Sequence, residues 1–139
     1  MPIPYLTFDG TTLEAFHFYA DVLGGKLEFS QSFGESPAKH SIPEEFRDRV
    51  MHATLSLPDG KLMAADAGPW APYRGPMQSC ALSLHYDDAA EGKRVFDALS
   101  SGGKVTMPFE KTFWADGFGI FTDRFGVAWM VNCGRRVAA

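Results

Sequence analysis

The amino-acid sequence predicts an α+β protein made of two tandem βαβββ modules. Three observations carry that expectation. First, Gly24-Gly25-Lys26-Leu27 recurs as Gly102-Gly103-Lys104-Val105, an offset of 78. The same offset pairs Phe8-Asp9 with Tyr86-Asp87, Phe18 with Phe96 and Ala20 with Ala98. Second, the offset falls to 66 further along, where Gly60 meets Gly126, Met63 meets Trp129 and Asp66 meets Asn132. Two copies with a shrinking offset describe a degenerate duplication whose first half carries an insertion, about residues 34–48. Third, each half repeats one order of elements: strand, helix, then three strands.

Ile3–Phe8 is an apolar, β-rich run and opens the first module. Thr11-Thr12-Leu13-Glu14 reads as a capping box, in which the Thr11 oxygen accepts a backbone N–H and Glu14 reaches back. Leu13, Phe16, Ala20 and Leu23 then recur at helical spacing. Gly24-Gly25 stops this helix, because glycine tolerates the left-handed conformation found after helix ends. Lys26–Phe33, Val50–Leu57 and Lys61–Ala67 read as strands, the last two joined through Pro58-Asp59-Gly60. Residues 68–78, with Pro69, Pro72 and Pro76, read as a linker, which gives modules 1–67 and 79–139. The second module repeats the plan. Cys80–Tyr86 is a strand, Asp88-Ala89-Ala90-Glu91 opens a helix through Leu99, and Gly102-Gly103 ends it. Lys104–Phe109, Gly117–Thr122 and Val127–Asn132 are its remaining strands.

Composition narrows the function classes. The 139 residues can bury a real core without disulfides or a structural metal. A net charge of −4 argues against the clustered basic surface of a nucleic-acid or anionic-membrane binder. No apolar run reaches the length of a membrane helix, so no membrane partner is expected. Met1–Tyr5 lacks a basic region followed by an apolar one, so no secretory leader is expected. Cys80 and Cys133 fall at opposite ends of neighbouring strands, too far apart for a disulfide, which predicts free thiols and a cytoplasmic protein. Twelve Phe, four Tyr and three Trp exceed what a small core needs, so some rings are expected to line a pocket.

Several motifs carry a family resemblance. They are His52-Ala53, Leu62-Met63-Ala64-Ala65-Asp66, Thr112-Phe113-Trp114-Ala115-Asp116-Gly117-Phe118-Gly119, and Asp123-Arg124-Phe125-Gly126 followed by Trp129-Met130-Val131-Asn132. With the paired βαβββ plan, they make the chain resemble the vicinal oxygen chelate superfamily, and within it the PhnB-like branch. That superfamily includes glyoxalase I, extradiol dioxygenases, and bleomycin- and fosfomycin-resistance proteins. Members of the branch are often labelled demethylubiquinone methyltransferase-like. The resemblance implies the glyoxalase/bleomycin resistance/dioxygenase fold, in which modules form a cleft-bearing half-barrel, and it implies a homodimer. Methyl transfer is disfavoured, because no Gly-x-Gly-x-x-Gly follows a strand here.

The resemblance also implies His or Glu metal ligands on the first and fourth strands of each module. Counting from the helices and glycines puts those places near Ile3, Ala64, Ala81 and Met130, none suited to a divalent metal. Two residues further on, strand alternation places Tyr5, Asp66, Ser83 and Asn132 on one face as polar contacts for a small molecule. His85 lies two further again. It reads either as a satisfied strand histidine or, with Asp66 nearby, as a catalytic base or a lone metal ligand, and with His52 and Asp66 it would make a shifted site for a single divalent metal. His52 reads either as a strand histidine bonded to its neighbours or as a ligand contact. Trp114 and Phe118 read either as hairpin anchors or as walls of an apolar pocket, and Met130 as core or pocket floor. Trp129 alternates away from Met130 and is expected beneath a helix. His17 reads as a surface or helix-packing residue, and His40 as a solvent-exposed one. The leading expectation is a metal-free binder of a small organic molecule in an aromatic-lined cleft, with no cofactor. The alternative is a divalent-metal-dependent lyase, isomerase or dioxygenase.

Overall fold

A computed structural model describes residues 2–134, so Met1 and residues 135–139 of the expected modules lie outside the described residues. The chain divides into two compact units between Arg74 and Gly75. In the first unit, β1 (Tyr5–Phe8) leads to α1 (Thr12–Leu23), then to β2 (Lys26–Ser32), β3 (Val50–Leu57) and β4 (Gly60–Asp66). In the second, β5 (Leu82–Tyr86) leads to α2 (Ala89–Ser100), then β6 (Lys104–Glu110), β7 (Gly117–Thr122) and β8 (Ala128–Cys133). Each unit holds a four-stranded sheet, in the orders β1-β4-β3-β2 and β5-β8-β7-β6. The first and last strands of each unit pair in parallel and the rest are antiparallel. This is the α+β arrangement of two βαβββ modules. The insertion between β2 and β3 folds into three short 3-10 turns, Phe33–Glu35, Lys39–Ser41 and Glu44–Phe46.

Each helix packs on one face of its own sheet, and strand alternation supplies that face. Leu6 and Phe8 of β1, Ala53 and Leu55 of β3, and Leu62 and Ala64 of β4 are buried against α1 residues Ala15, Phe16, Tyr19 and Val22. The buried stripe of α1 therefore runs one residue off the expected one, and Leu13 stays exposed. In the second unit, Trp129, Val131 and Cys133 of β8 and Phe121 of β7 pack beneath Val95, Phe96 and Leu99 of α2. Trp129 thus lies under the helix as expected.

The helix ends show two different solutions. Gly24 closes α1 at φ +75°, where its amide donates to the Ala20 carbonyl. The start of α1 departs from the expected capping box, since the Thr11 side chain makes no cap hydrogen bond. Asp66, at the end of β4, takes that place from across the sheet and accepts from the Thr12 amide at 3.0 Å. At α2, Asp88 caps locally by accepting from the Ala90 amide, while Glu91 pairs with Arg94 instead of completing a box. A complete capping box forms at Ser32 and Glu35, where the first 3-10 turn begins.

Close packing explains the aromatic-glycine block. A Cβ on Gly117 would lie 2.3 Å from the Phe109 ring, and one on Gly119 would lie 2.5 Å from Phe96. Both glycines therefore make room for rings on the helix side. Phe118, between them, points to the opposite face.

Candidate functional site

The second face of each sheet, averted from the helix, carries the side chains that can meet a ligand. In the first unit the parallel ladder pairs Tyr5 with Met63 and Thr7 with Ala65. In the second it pairs Ser83 with Met130 and His85 with Asn132. Directly paired residues share a face. The antiparallel ladder adds Ile120 opposite Met130 and Phe118 opposite Asn132. Ser83, His85, Met130 and Asn132 therefore share one surface, as strand alternation predicts, and Phe118 lies on it too.

Asp66 does not lie on the averted face of its own sheet. It pairs with Phe8, is 5% exposed, and faces the helix. One carboxylate oxygen accepts from the Thr12 amide at 3.0 Å and the Thr12 hydroxyl at 2.7 Å. The other accepts from the Val50 amide at 2.9 Å. Both its oxygens serve the junction of α1, β3 and β4, so it is neither a ligand contact beside Tyr5 nor an acid–base partner of His85. Ala64 likewise faces the helix, opposite Leu6, and the averted positions on β4 are Met63 and Ala65.

The physical cause is one residue of turn. In the first unit Leu57 pairs with Gly60 across Pro58-Asp59. In the second the Asp123 amide donates to the Val127 carbonyl across Arg124-Phe125-Gly126. The second turn is one residue longer, so Asp66 corresponds to Cys133 and Met63 to Met130. An alignment on the turn glycines slips by one, and a slip of one changes the face.

A hydrogen-bonded chain runs across the averted face of the first unit. The Tyr5 hydroxyl lies 2.9 Å from His52 Nδ1. His52 Nε2 lies 3.2 Å from Thr54 Oγ1. Tyr5 stacks on the imidazole with centroids 5.6 Å apart, and Phe29 packs at 6.0 Å. Both imidazole nitrogens are engaged, which fixes the ring in place. Tyr5 remains 53% exposed, so the residue presents surface to a ligand. Partial burial raises its phenol above the usual 10.0 and keeps the neutral hydroxyl. Thr54 and Phe29 were not among the residues singled out from sequence. The His52-x-Thr54 spacing on one strand was the available signal for Thr54, and Phe29 became visible only through the β2–β3 register.

In the second unit Trp114 and Phe118 meet edge to face at 5.3 Å, and Phe113 meets Trp114 at 4.8 Å. His85 is exposed, with Nε2 3.4 Å from Asp87. Asn132 Oδ1 is buried without a hydrogen-bond partner. His17 and His40 are exposed, as expected.

A metal centre on the first and last strands would draw on Tyr5, Thr7, Met63 and Ala65, or on Ser83, His85, Met130 and Asn132. Each set holds at most one imidazole, and neither holds a carboxylate or thiolate. Among the described residues, no three His, Cys, Asp or Glu are grouped to hold a metal ion. The donor sets do not fit a divalent transition metal.

Comparisons with known proteins agree on the fold. The model of the Glyoxalase/Bleomycin resistance protein/Dioxygenase superfamily matches residues 5–131. Protein YjdN of Escherichia coli (strain K12) is 39% identical over 141 residues, covering 95% of each chain. The crystal structure of protein PA1353 from Pseudomonas aeruginosa superposes with a TM-score of 0.87 at 49% identity, covering 97% of this chain and 98% of that one. A Bacillus cereus PhnB protein, described as a putative 3-demethylubiquinone-9 3-methyltransferase, superposes with a TM-score of 0.80 at 21% identity, covering 96% and 98%.

Proposed function

We propose that this chain, which belongs to the Glyoxalase/Bleomycin resistance protein/Dioxygenase superfamily, binds a small organic molecule on its helix-averted sheet faces without a resident metal. The observation that carries this reading is the Tyr5–His52–Thr54 chain. It holds a neutral phenol at a defined place on a sheet face, exposed at one end and braced by two side chains at the other. Such an arrangement orients a hydrogen-bonding ligand at low entropic cost, because the protein groups are ordered beforehand. Phe29 and Met63 beside it, and separately Trp114, Phe118 and Met130 on the averted face of the second unit, supply apolar contact with few fixed polar groups.

The metal-dependent enzyme gains no support, because Asp66 is committed to Thr12 and Val50. Similarity to the Bacillus cereus protein supports the fold and does not extend its methyltransferase label to this chain. The proposal includes a homodimer, by family analogy, and a cytoplasmic setting in keeping with two free cysteines. No helix among the described residues is long and apolar enough to cross a membrane.

Thermal melting with a panel of aromatic phenols, amides and carboxylates tests this reading, since a ligand stabilises by RT ln(1 + [L]/Kd). At least one class should raise the melting temperature of the wild type, and Tyr5→Phe and His52→Phe should shrink that rise. A panel without effect, or a rise that both variants retain in full, would contradict the proposal.

A further inference from the structure

The Tyr5–His52–Thr54 chain of the first unit has a direction, and the protonation of His52 sets it. A neutral imidazole carries one N–H, so the chain runs either way. In one direction the Thr54 hydroxyl donates to Nε2, Nδ1–H donates to the Tyr5 oxygen, and the Tyr5 proton is left for a ligand. In the other, Tyr5 donates to Nδ1 and offers a ligand only its lone pairs. An imidazolium donates from both nitrogens, so Tyr5 accepts from Nδ1 and serves a ligand as a donor beside a positive charge. Partial burial raises the phenol above its usual 10.0, so Tyr5 keeps the proton that this role needs.

The surroundings leave that positive charge unmatched. The Tyr5–His52 bond lies at the exposed surface, and β1 contributes no other titratable group. From β2, Gln31 pairs with His52, and the half-exposed Phe29 packs on its ring. From β4, Met63 pairs with both Tyr5 and Thr54. The carboxylates of β2 and of the turn that follows it are committed elsewhere. Glu28 pairs with Lys61 at 3.1 Å, and Glu35 accepts from the Ser32 amide at 3.0 Å. Lys26 and Lys61, which both pair with Ser56, add cations to the same face. Among the described residues, His52 has no carboxylate partner.

We infer that this face of the first unit binds an aromatic carboxylate, and that His52 takes up a proton as the ligand binds. This rests on the small-molecule reading above and names its ligand class. The carboxylate accepts from the Tyr5 hydroxyl, and the imidazolium behind that hydroxyl strengthens the bond by charge. The ligand's ring meets Phe29 and Met63. A methyl ester takes the same hydrogen bond without the charge. The site therefore favours the acid over its ester, and favours it more as pH falls through the range in which imidazole takes up a proton.

Isothermal titration with 2-naphthoate and methyl 2-naphthoate tests the inference at about pH 5.5 and about pH 8, where imidazole titrates and a carboxylate stays ionised. Wild-type affinity for 2-naphthoate should rise about fivefold or more at the lower pH. Repeating the titration in buffers of different ionisation enthalpy should show proton uptake on binding. Affinity for the ester should not change with pH. His52→Gln keeps a hydrogen-bonding neighbour for Tyr5 and should flatten the 2-naphthoate profile. An affinity for 2-naphthoate independent of pH, or binding without proton uptake, would overturn the inference and leave the broader binding reading standing. So would a pH dependence that His52→Gln retains. Failure of 2-naphthoate to bind would also overturn it, while a response to another class in the melting panel would preserve the broader reading. The wild-type comparison of acid with ester decides even if the variant folds poorly.

Discussion

The two units solve one construction problem in opposite ways. Each must lock the start of its helix to the end of its last strand. The first does so with charge and hydrogen bonds, since Asp66 gathers Thr12 and Val50. The second does so by steric fit at the equivalent position, where Cys133 packs against Gly92. A Cβ on Gly92 would lie 1.9 Å from Cys133 Sγ, so the helix sits at the closest approach glycine permits. With no carboxylate from the sheet to serve α2, Asp88 caps the helix locally. Duplicated modules thus keep a backbone plan while exchanging the chemistry that holds it.

That contrast orders the expected effects. Asp66→Ala should be the most damaging change. It leaves the Thr12 and Val50 amides without their buried acceptor and should cost about 3–5 kcal/mol in urea unfolding. A loss below about 1 kcal/mol would mean that water replaces the carboxylate and that the junction is not polar in character. Gly92→Ala comes next, at about 2–3 kcal/mol of overpacking, and Cys133→Ala should recover much of it in a double-mutant cycle. Additive losses would contradict the steric account of the second unit. Trp129→Phe should cost about 1–2 kcal/mol, because Trp129 Nε1 donates to Asp123 at 2.8 Å in a buried setting.

The smallest effect is chemical. Burial pushes the Cys133 thiol above the usual 9.0, and the charges of Asp88 and Asp116 add to the shift. The folded state therefore holds this proton to higher pH than the unfolded chain. Its contribution to stability is complete below 9.0 and is lost as pH rises through the elevated value. At pH 8 a disulfide reagent should modify exposed Cys80 quickly and Cys133 only after unfolding. Two fast thiols in native protein would show that the Gly92–Cys133 contact opens readily.

The plan of the fold was legible because duplication writes it twice. The glycine pairs after both helices and the matching order of strands each carry the same message. The shared face was legible in the second unit, where Ser83, His85, Met130 and Asn132 do alternate to one side. In the first unit it was legible only in part. Tyr5 and His52 meet, but Asp66 turns inward, because the hairpin turn before β4 is one residue shorter than its counterpart. Face assignment in a strand depends on parity, and turn glycines do not report parity. The Thr11 capping box failed for a related reason. Its role passed to a carboxylate distant in sequence, and local spacing cannot announce a tertiary acceptor.

The central claim is that the averted faces bind with aromatic and neutral polar groups and hold no metal of their own. Elemental analysis of protein purified without chelator tests it most directly, paired with melting curves in added zinc, manganese, nickel or iron. Substoichiometric metal and a melting temperature indifferent to each ion are expected. One equivalent of a divalent metal per chain, lost on His85→Ala or His52→Phe, would contradict it.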